Sequence, residues 1–318
     1  MITNIFLLVL GFAFLIKGAD FLVDGASSLA KKLKVSALVI GLTVVAFGTS
    51  APELIVNIFA SARGNADIAI GNILGSNIAN ILLILGLASI IYPLSVKKGT
   101  VWKEIPLALL AVIMVALMAN DAIIDNGFSS VLTRIDGFAL IAFFIIFIYY
   151  TFGIAKAEKE EGHEIKARSS PISFLMIAGG LVGLTIGGKI IVDSAVAIAH
   201  VFSVSEALIG LTIVAVGTSL PELAICIAAV LKKNSDIAVG NIVGSNIFNL
   251  FFILGTSAII SPLPLSLSLN FDIWALIIAT FMLFAFMFIG KRRILKRWQG
   301  MLFMTMYFIY LTCIVIRK

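Results

Sequence analysis

The sequence predicts an all-α polytopic membrane protein: ten transmembrane helices in two inverted five-helix repeats, with both termini extracellular. Three observations carry that prediction. Of 318 residues, 61% are hydrophobic and 13% charged, and mean hydropathy is +1.14; these are values of an integral membrane protein, not of a soluble domain with a large core. A segment of 46 residues occurs twice. Lysine and arginine concentrate in every second turn between apolar stretches.

Apolar segments long enough to cross a hydrocarbon core of about 30 Å run over 3–26, 35–62, 67–92, 103–120, 133–155, 172–199, 205–231, 236–261, 270–290 and 299–316. The first lacks the basic n-region and small-residue cleavage site of a signal peptide, so it is read as a retained span. Turns at 31–34, 96–103, 156–168, 232–233 and 291–297 together hold 17 lysines and arginines. The opposite side has four: Arg63, Arg134, Arg317 and Lys318. The richer side is cytoplasmic by the positive-inside rule, which puts both termini outside. Trp102, Trp274 and Trp298 fall near span ends, where aromatic belts form. Residues 1–155 then make the first five-helix repeat, 156–171 a short cytoplasmic linker and 172–318 the second repeat. Five is odd, so the second copy enters the membrane from the opposite face. Inverted repeats around a midplane site are a design of secondary transporters, and exchange between two access states follows from that symmetry more naturally than a passive channel does.

The duplicated segment spans 41–86 and 210–255, and its copies agree at 28 of 46 positions without a gap. Agreement is densest in GTSxPE and GNIxGSNIxN. Each copy therefore places a glutamate, Glu53 or Glu222, inside a membrane helix, where an ionisable group costs several kcal/mol or more unless it serves a pathway or a bound ion. Pro52 and Pro221 lack an N–H and crowd Gly48 and Gly217, four residues back. Backbone carbonyls around Ala46–Thr49 and Ala215–Thr218 should thereby be released, which membranes tolerate only beside a cavity or a ligand. Thr49 and Ser50 share a helical face with Glu53, as Thr218 and Ser219 do with Glu222. In the next span Asn72, Ser76 and Asn80 recur every fourth residue, as do Asn241, Ser245 and Asn249. Gly71, Gly75, Gly240 and Gly244 allow close helix approach.

Every donor offered is oxygen, which suits sodium or calcium; magnesium demands a rigid octahedron and gives up water reluctantly. A lone Asn, Ser or Thr in a membrane helix is usually structural glue, and a lone Pro only a kink. Their joint recurrence with Glu in two copies is what marks a site. Cys226 and Cys313 lie inside apolar segments and read as small buried hydrophobes. His163 and His200, in or beside loops, supply neither a zinc cluster nor a hydrolase dyad. Asp20, Asp24 and Asp193, with Lys17 and Lys189, read as interface anchors or pairing groups rather than ion ligands. Glu206 and Asp272 read as solvated, Asp67 and Asp236 as helix N-caps, and residues 158–166 as a solvated linker. The net charge of +6 reflects topology and lipid headgroups, not nucleic acid.

With these residues in view, the chain resembles the sodium/calcium exchanger family of the cation/calcium antiporter superfamily, in its compact prokaryotic type. The resemblance covers essentially the whole chain and rests on the paired GTSxPE and GSNIxN motifs. Proton-coupled calcium exchangers of the superfamily usually carry a GNxxE-type motif at the first element. GTSAPE and GTSLPE favour sodium coupling, with calcium/proton antiport on the same fold as the alternative.

The resemblance implies a core of the second, third, seventh and eighth spans, across which the first and sixth slide. It implies calcium held by Glu53 and Glu222 with the carbonyls of Thr49 and Thr218. Ala46, Ser50 and Ser76 would line one sodium site, Ala215, Ser219 and Ser245 its mate, with Asn80 and Asn249 between. Some relatives, the potassium-dependent exchangers among them, have Asp where Asn249 stands, so no potassium requirement is implied. The implied activity is electrogenic antiport of about three Na+ for one Ca2+ by alternating access, not enzymatic. Cofactors are absent from this reading; the ions are cargo and the lipid bilayer is the other partner, with no protein partner and no nucleic acid. The expected location is the cell membrane, as a multi-pass protein of the prokaryotic plasma membrane.

Overall fold

The computed structural model describes residues 2–124, 130–155, 169–201, 217–290 and 293–316. These fold almost wholly as helices: α1 (Ile2–Leu33), α2 (Ala37–Thr49), α3 (Ala51–Ala62), α4 (Ala66–Ile91), α5 (Lys98–Met118) and α6 (Arg134–Ala155). After residue 169 come α7 (Ser170–Val201), α8 (Leu220–Leu231), α9 (Ser235–Ile260), α10 (Leu267–Phe286) and α11 (Arg297–Ile316). Among the described residues, eight helices are long and apolar enough to cross a membrane, and α2 with α3 makes a ninth span bent by 47°. The expected span 205–231 is represented by the twelve residues of α8. Its earlier part, with Glu206 and Ala215, lies outside the described residues, as does the linker from 156 to 168.

Helices α1 and α7 each run for 32 residues, about 48 Å at 1.5 Å per residue, so both exceed the hydrocarbon thickness. The span expected to end at residue 26 continues through Lys31 and Lys32 because no breaker intervenes. It stops where Lys34 adopts a left-handed φ of 56° and the Val35 N–H returns to the Ala30 carbonyl at 3.0 Å, a helix-ending turn.

The two helices lie against one another because glycines let their backbones touch. A Cβ on Gly18 would stand 2.8 Å from the Gly180 carbonyl oxygen, and one on Gly187 would stand 2.7 Å from that of Gly11. Other pairings also cross between the halves: α6 packs on α9 at Gly137 and Gly255, α11 on α4 at Gly86 and Gly300, and α10 on α5. At α2 and α9, Gly244 approaches the Leu42 carbonyl so closely that a Cβ would sit 2.8 Å away. Two short antiparallel pairings fasten the turns: Leu94–Ser95 with Ile294–Leu295, and Val131–Leu132 with Leu263–Pro264. Each joins turns that the charge pattern assigns to one face.

Burial separates core from periphery. Of the apolar windows, 78% of that in α4 and 94% of that in α9 is buried in protein, against 22–39% in the other long helices. Thus α4 and α9 form the centre, and the remaining helices present broad lipid-compatible faces. One expectation fails at the helix starts. The cap of α9 is Asn234, whose Oδ1 accepts from the Ile237 N–H at 3.1 Å. Asp236 instead pairs with Lys97 at 3.0 Å. Asp67 likewise lies inside the first turn of α4, after Asn65. Both aspartates fall two residues too late to cap, where a carboxylate favours the positive helix end instead. Asp272, expected to be solvated, accepts from the Tyr310 hydroxyl at 2.6 Å.

The α1–α7 seam yields a prediction. Gly18→Ala should lower the melting temperature in detergent, with overpacking of roughly 1–3 kcal/mol, since the obstacle is backbone. Gly179→Ala, whose Cβ would meet nothing within 4 Å, should leave it unchanged.

Candidate functional site

The two repeated motifs build matching breaks. Helix α2 ends and α3 begins at Ser50 (φ −82°, ψ 4°); α8 begins at Ser219 (φ −88°, ψ 5°). Pro52 and Pro221 lie in the first turn of the new helix, where a missing N–H costs little. The break therefore falls at the serine, upstream of the proline. One consequence differs from the sequence expectation. The Ala46 carbonyl is not released: it accepts from the Ser50 N–H at 3.0 Å and the Thr49 hydroxyl at 3.2 Å.

The breaks bring the predicted side chains together at the centre of the protein. Glu53, Glu222, Asn80, Ser245 and Asn249 have no solvent exposure, and Thr49, Ser50, Ser76 and Ser219 are buried. Thr218 is half-buried. Contacts run both within and across the two copies. Ser50 Oγ donates to Glu222 Oε1 at 3.4 Å, and Ser76 Oγ donates to Glu53 Oε1 at 3.3 Å. Ser76 and Ser219 hydroxyls meet at 3.2 Å, those of Thr49 and Ser245 at 3.3 Å. Of the residues singled out from sequence, eleven of twelve are thus located here; Ala215 lies outside the described residues.

Five buried oxygens of these site residues remain without a hydrogen-bond partner: Oε2 of Glu53, Oε2 of Glu222, Oδ1 of Asn80, Oδ1 of Asn249 and Oγ1 of Thr218. Unpaired buried acceptors are costly, and two are carboxylate oxygens. A cation is the partner that this donor set fits. Two carboxylates with neutral amide and hydroxyl oxygens suit a hard ion that accepts flexible coordination, such as Ca2+ or Na+. Among the described residues there is no cluster of three or more His, Cys, Asp or Glu, so the charge comes from the glutamate pair.

Residues that the motif chemistry did not single out hold the amides in place. Asn77 and Asn246, each buried, exchange bonds reciprocally: Asn77 Nδ2 donates to the Asn246 carbonyl at 3.1 Å, and Asn246 Nδ2 to the Asn77 carbonyl at 3.4 Å. Their side-chain oxygens accept from the site amides, Asn80 Nδ2 to Asn246 Oδ1 at 3.0 Å and Asn249 Nδ2 to Asn77 Oδ1 at 2.8 Å. Occupying both NH2 groups leaves the amide oxygens as the groups to face a cation. The backbone assists, because α4 and α9 switch to wider π-helical turns over Ala79–Leu85 and Phe248–Ile253, a departure frequent at functional sites. The identity of Asn77 and Asn246 between the copies was the available signal; a side chain three residues before a ligand lies beside it on a helix. Asn57 and Asn241 brace the glutamate backbones, donating to the Glu53 and Glu222 carbonyls at 3.0 and 3.5 Å.

A helical bundle that buries two carboxylates among neutral oxygens beside the turns at Ser50 and Ser219 has the site of a membrane transporter of cations. The family model for the sodium/calcium exchanger protein matches residues 3–153 and 172–316. The chain belongs to the sodium/calcium exchanger family. It is 38% identical over 290 residues to the inner membrane protein YrbG of Escherichia coli K12, covering 87% of each. It is 33% identical over 347 residues to the sodium/calcium exchanger MaX1 of Methanosarcina acetivorans, covering 98% of each. A solved structure of the sodium–calcium exchanger NCX_Mj superposes with a TM-score of 0.84 at 36% identity over 98% of both chains.

The amide bracket predicts that Asn77→Ala weakens Ca2+ binding by about ten- to a hundredfold, the usual cost of losing a group that orients a metal ligand. Titration of the purified protein with Ca2+ measures it.

Proposed function

We propose that this protein is an electrogenic sodium/calcium antiporter of the cell membrane, moving about three Na+ against one Ca2+ by alternating access. One observation supports this most: two fully buried glutamates from matching helix breaks, each with an unpaired Oε2, beside two unpaired amide oxygens. Glu53 and Glu222 would grip calcium from two sides, with the Thr49 and Thr218 carbonyls completing its shell. Ser50 and Ser76 with the Ala46 carbonyl would take one sodium; Ser219 and Ser245 with the Ala215 carbonyl would take its mate. Asn80 and Asn249 would serve the middle through their oxygens. Since the Thr49 hydroxyl occupies the Ala46 carbonyl here, sodium at that site has to displace it. The ten-span, inverted-repeat topology with extracellular termini belongs to the same reading and is supported by the charge bias of the turns.

Coupling follows from shared charge. Calcium and sodium compete for the same two carboxylates, and neither state with a bare pair can be closed over cheaply in low dielectric. Loading one cargo set or the other therefore licenses the exchange between access states. Three positive charges against two move one net charge per cycle, worth about 2.3 kcal/mol per 100 mV of membrane potential.

The test is radiolabelled calcium uptake into sodium-loaded proteoliposomes diluted into sodium-free medium. Uptake should need the sodium gradient, rise with an inside-positive potential as excess sodium charge leaves, and show no stimulation by potassium. Glu53→Gln should reduce it by about a hundredfold or more, since unit charges about 4 Å apart attract by several kcal/mol at an effective dielectric of about 20. Uptake that ignores sodium and follows an imposed pH gradient would instead identify calcium/proton antiport.

A further inference from the structure

Among the described residues outside the central site, one charged cluster ties the α1–α7 pair to the rest of the protein, where the end of α8 meets α1. Lys232, at the end of α8, lies 2.8 Å from Asp24 and 3.2 Å from Asp20, both on α1, and also donates to the Asp20 carbonyl at 3.1 Å. The next turn adds a bond from Asn234 Nδ2 to Ser27 Oγ at 3.2 Å. The sequence reading of Asp20 and Asp24 as pairing groups is thereby met.

The repeat relation gives each of these residues a counterpart. At the offset of 169 that links Asn77 to Asn246, Asp24 corresponds to Asp193 on α7, and Lys232 to Arg63 at the end of α3. Charge pattern puts Lys232 on the cytoplasmic face and Arg63 on the opposite one. Among the described residues, Arg63 and Asp193 form no ion pair, and both are exposed. Packing is equally one-sided: α1 lies along α8, whereas α7 scarcely touches α3. The counterparts also differ in strength. Asp20 corresponds to Lys189, which would repel Arg63, and Ser27 corresponds to Val196, which cannot hydrogen-bond.

We propose that Lys232, Asp20 and Asp24 form a latch that holds the lysine-rich entrance shut, and that Arg63 and Asp193 form its weaker counterpart at the other entrance, made only when the first is broken. Two unequal latches on one sliding helix pair bias the resting protein towards access from the extracellular face. The bias is small, because each exposed pair contributes little, and a small bias lets the cargo decide the state. Only its meaning for transport rests on the antiport reading; the latch itself is a matter of distance.

Spin labels at Leu33→Cys and Leu231→Cys, both exposed positions at the ends of α1 and α8, measure that distance in a Cys226→Ala, Cys313→Ala background reconstituted in liposomes. Lys232→Gln should raise the ratio of separated to closed populations by about two- to fivefold. Arg63→Gln should lower it, and the exchange Asp24→Lys with Lys232→Asp should return it towards the starting value. An unchanged ratio in Lys232→Gln, or a shift in the same direction in Arg63→Gln, would overturn the proposal. A parent protein that moves no calcium would sink the antiport reading and leave these distances standing as the test.

Discussion

Two carboxylates buried in the middle of a membrane protein are the constraint around which the rest is arranged. Glu53 and Glu222 have no solvent exposure, and charges there are retained only where something compensates them. Hydroxyls of Ser76 and Ser50 satisfy Oε1 of Glu53 and of Glu222, respectively, and Oε2 of each has no hydrogen-bond partner. The broken helices follow from this need. A continuous helix would direct its backbone groups along its own axis and leave no irregular turn at the midplane. The serine breaks supply that turn, and proline in the first turn beyond tolerates it without losing a hydrogen bond.

Placing both glutamates at one centre requires the halves to interdigitate rather than stand side by side. Glycine makes this possible at several crossings, from Gly18 on Gly180 to Gly137 on Gly255. In lipid, apolar surface provides little drive for helices to associate, so close van der Waals contact and interhelical hydrogen bonds carry the packing. The α1–α7 pair meets the core through α7 side chains such as Leu181 and Val192, which lie against Gly48 and Gly217. The centre, α4 and α9, is the most deeply buried part, while α1 and α7 present broad lipid-compatible faces.

Much of this was legible in the sequence because duplication wrote it twice. Hydropathy located the spans, and recurrence of Thr49, Ser50, Glu53, Ser76 and Asn80 as Thr218, Ser219, Glu222, Ser245 and Asn249 located the site. What escaped was geometry that depends on partners far away in the chain. The reciprocal bonds of Asn77 and Asn246 span 169 positions, so spacing within one motif could not reveal them. The break was read at proline because proline is a helix breaker in general, yet in a first turn it is an ordinary residue and Ser50 bends instead. Caps were assigned to Asp67 and Asp236 because aspartate caps well, but the chain had already turned at Asn65 and Asn234.

The amide at position 249 sharpens the charge argument. An acid there would give three negative groups around one cavity, and a divalent ion would leave the loaded site negative. With Asn249 the pair of glutamates is matched by one calcium, so the calcium-loaded cavity is neutral on the proposed cycle, and three sodium ions leave it with a single excess positive charge. An amide, however, can present nitrogen as readily as oxygen, and nitrogen would repel every cargo ion. The acceptor on Asn77, 2.8 Å from Asn249 Nδ2, removes that freedom, as Asn246 does for Asn80. Replacing a carboxylate by an amide in such a site therefore demands a second amide to orient it, and the paired GSNIxN motifs supply both members in each half.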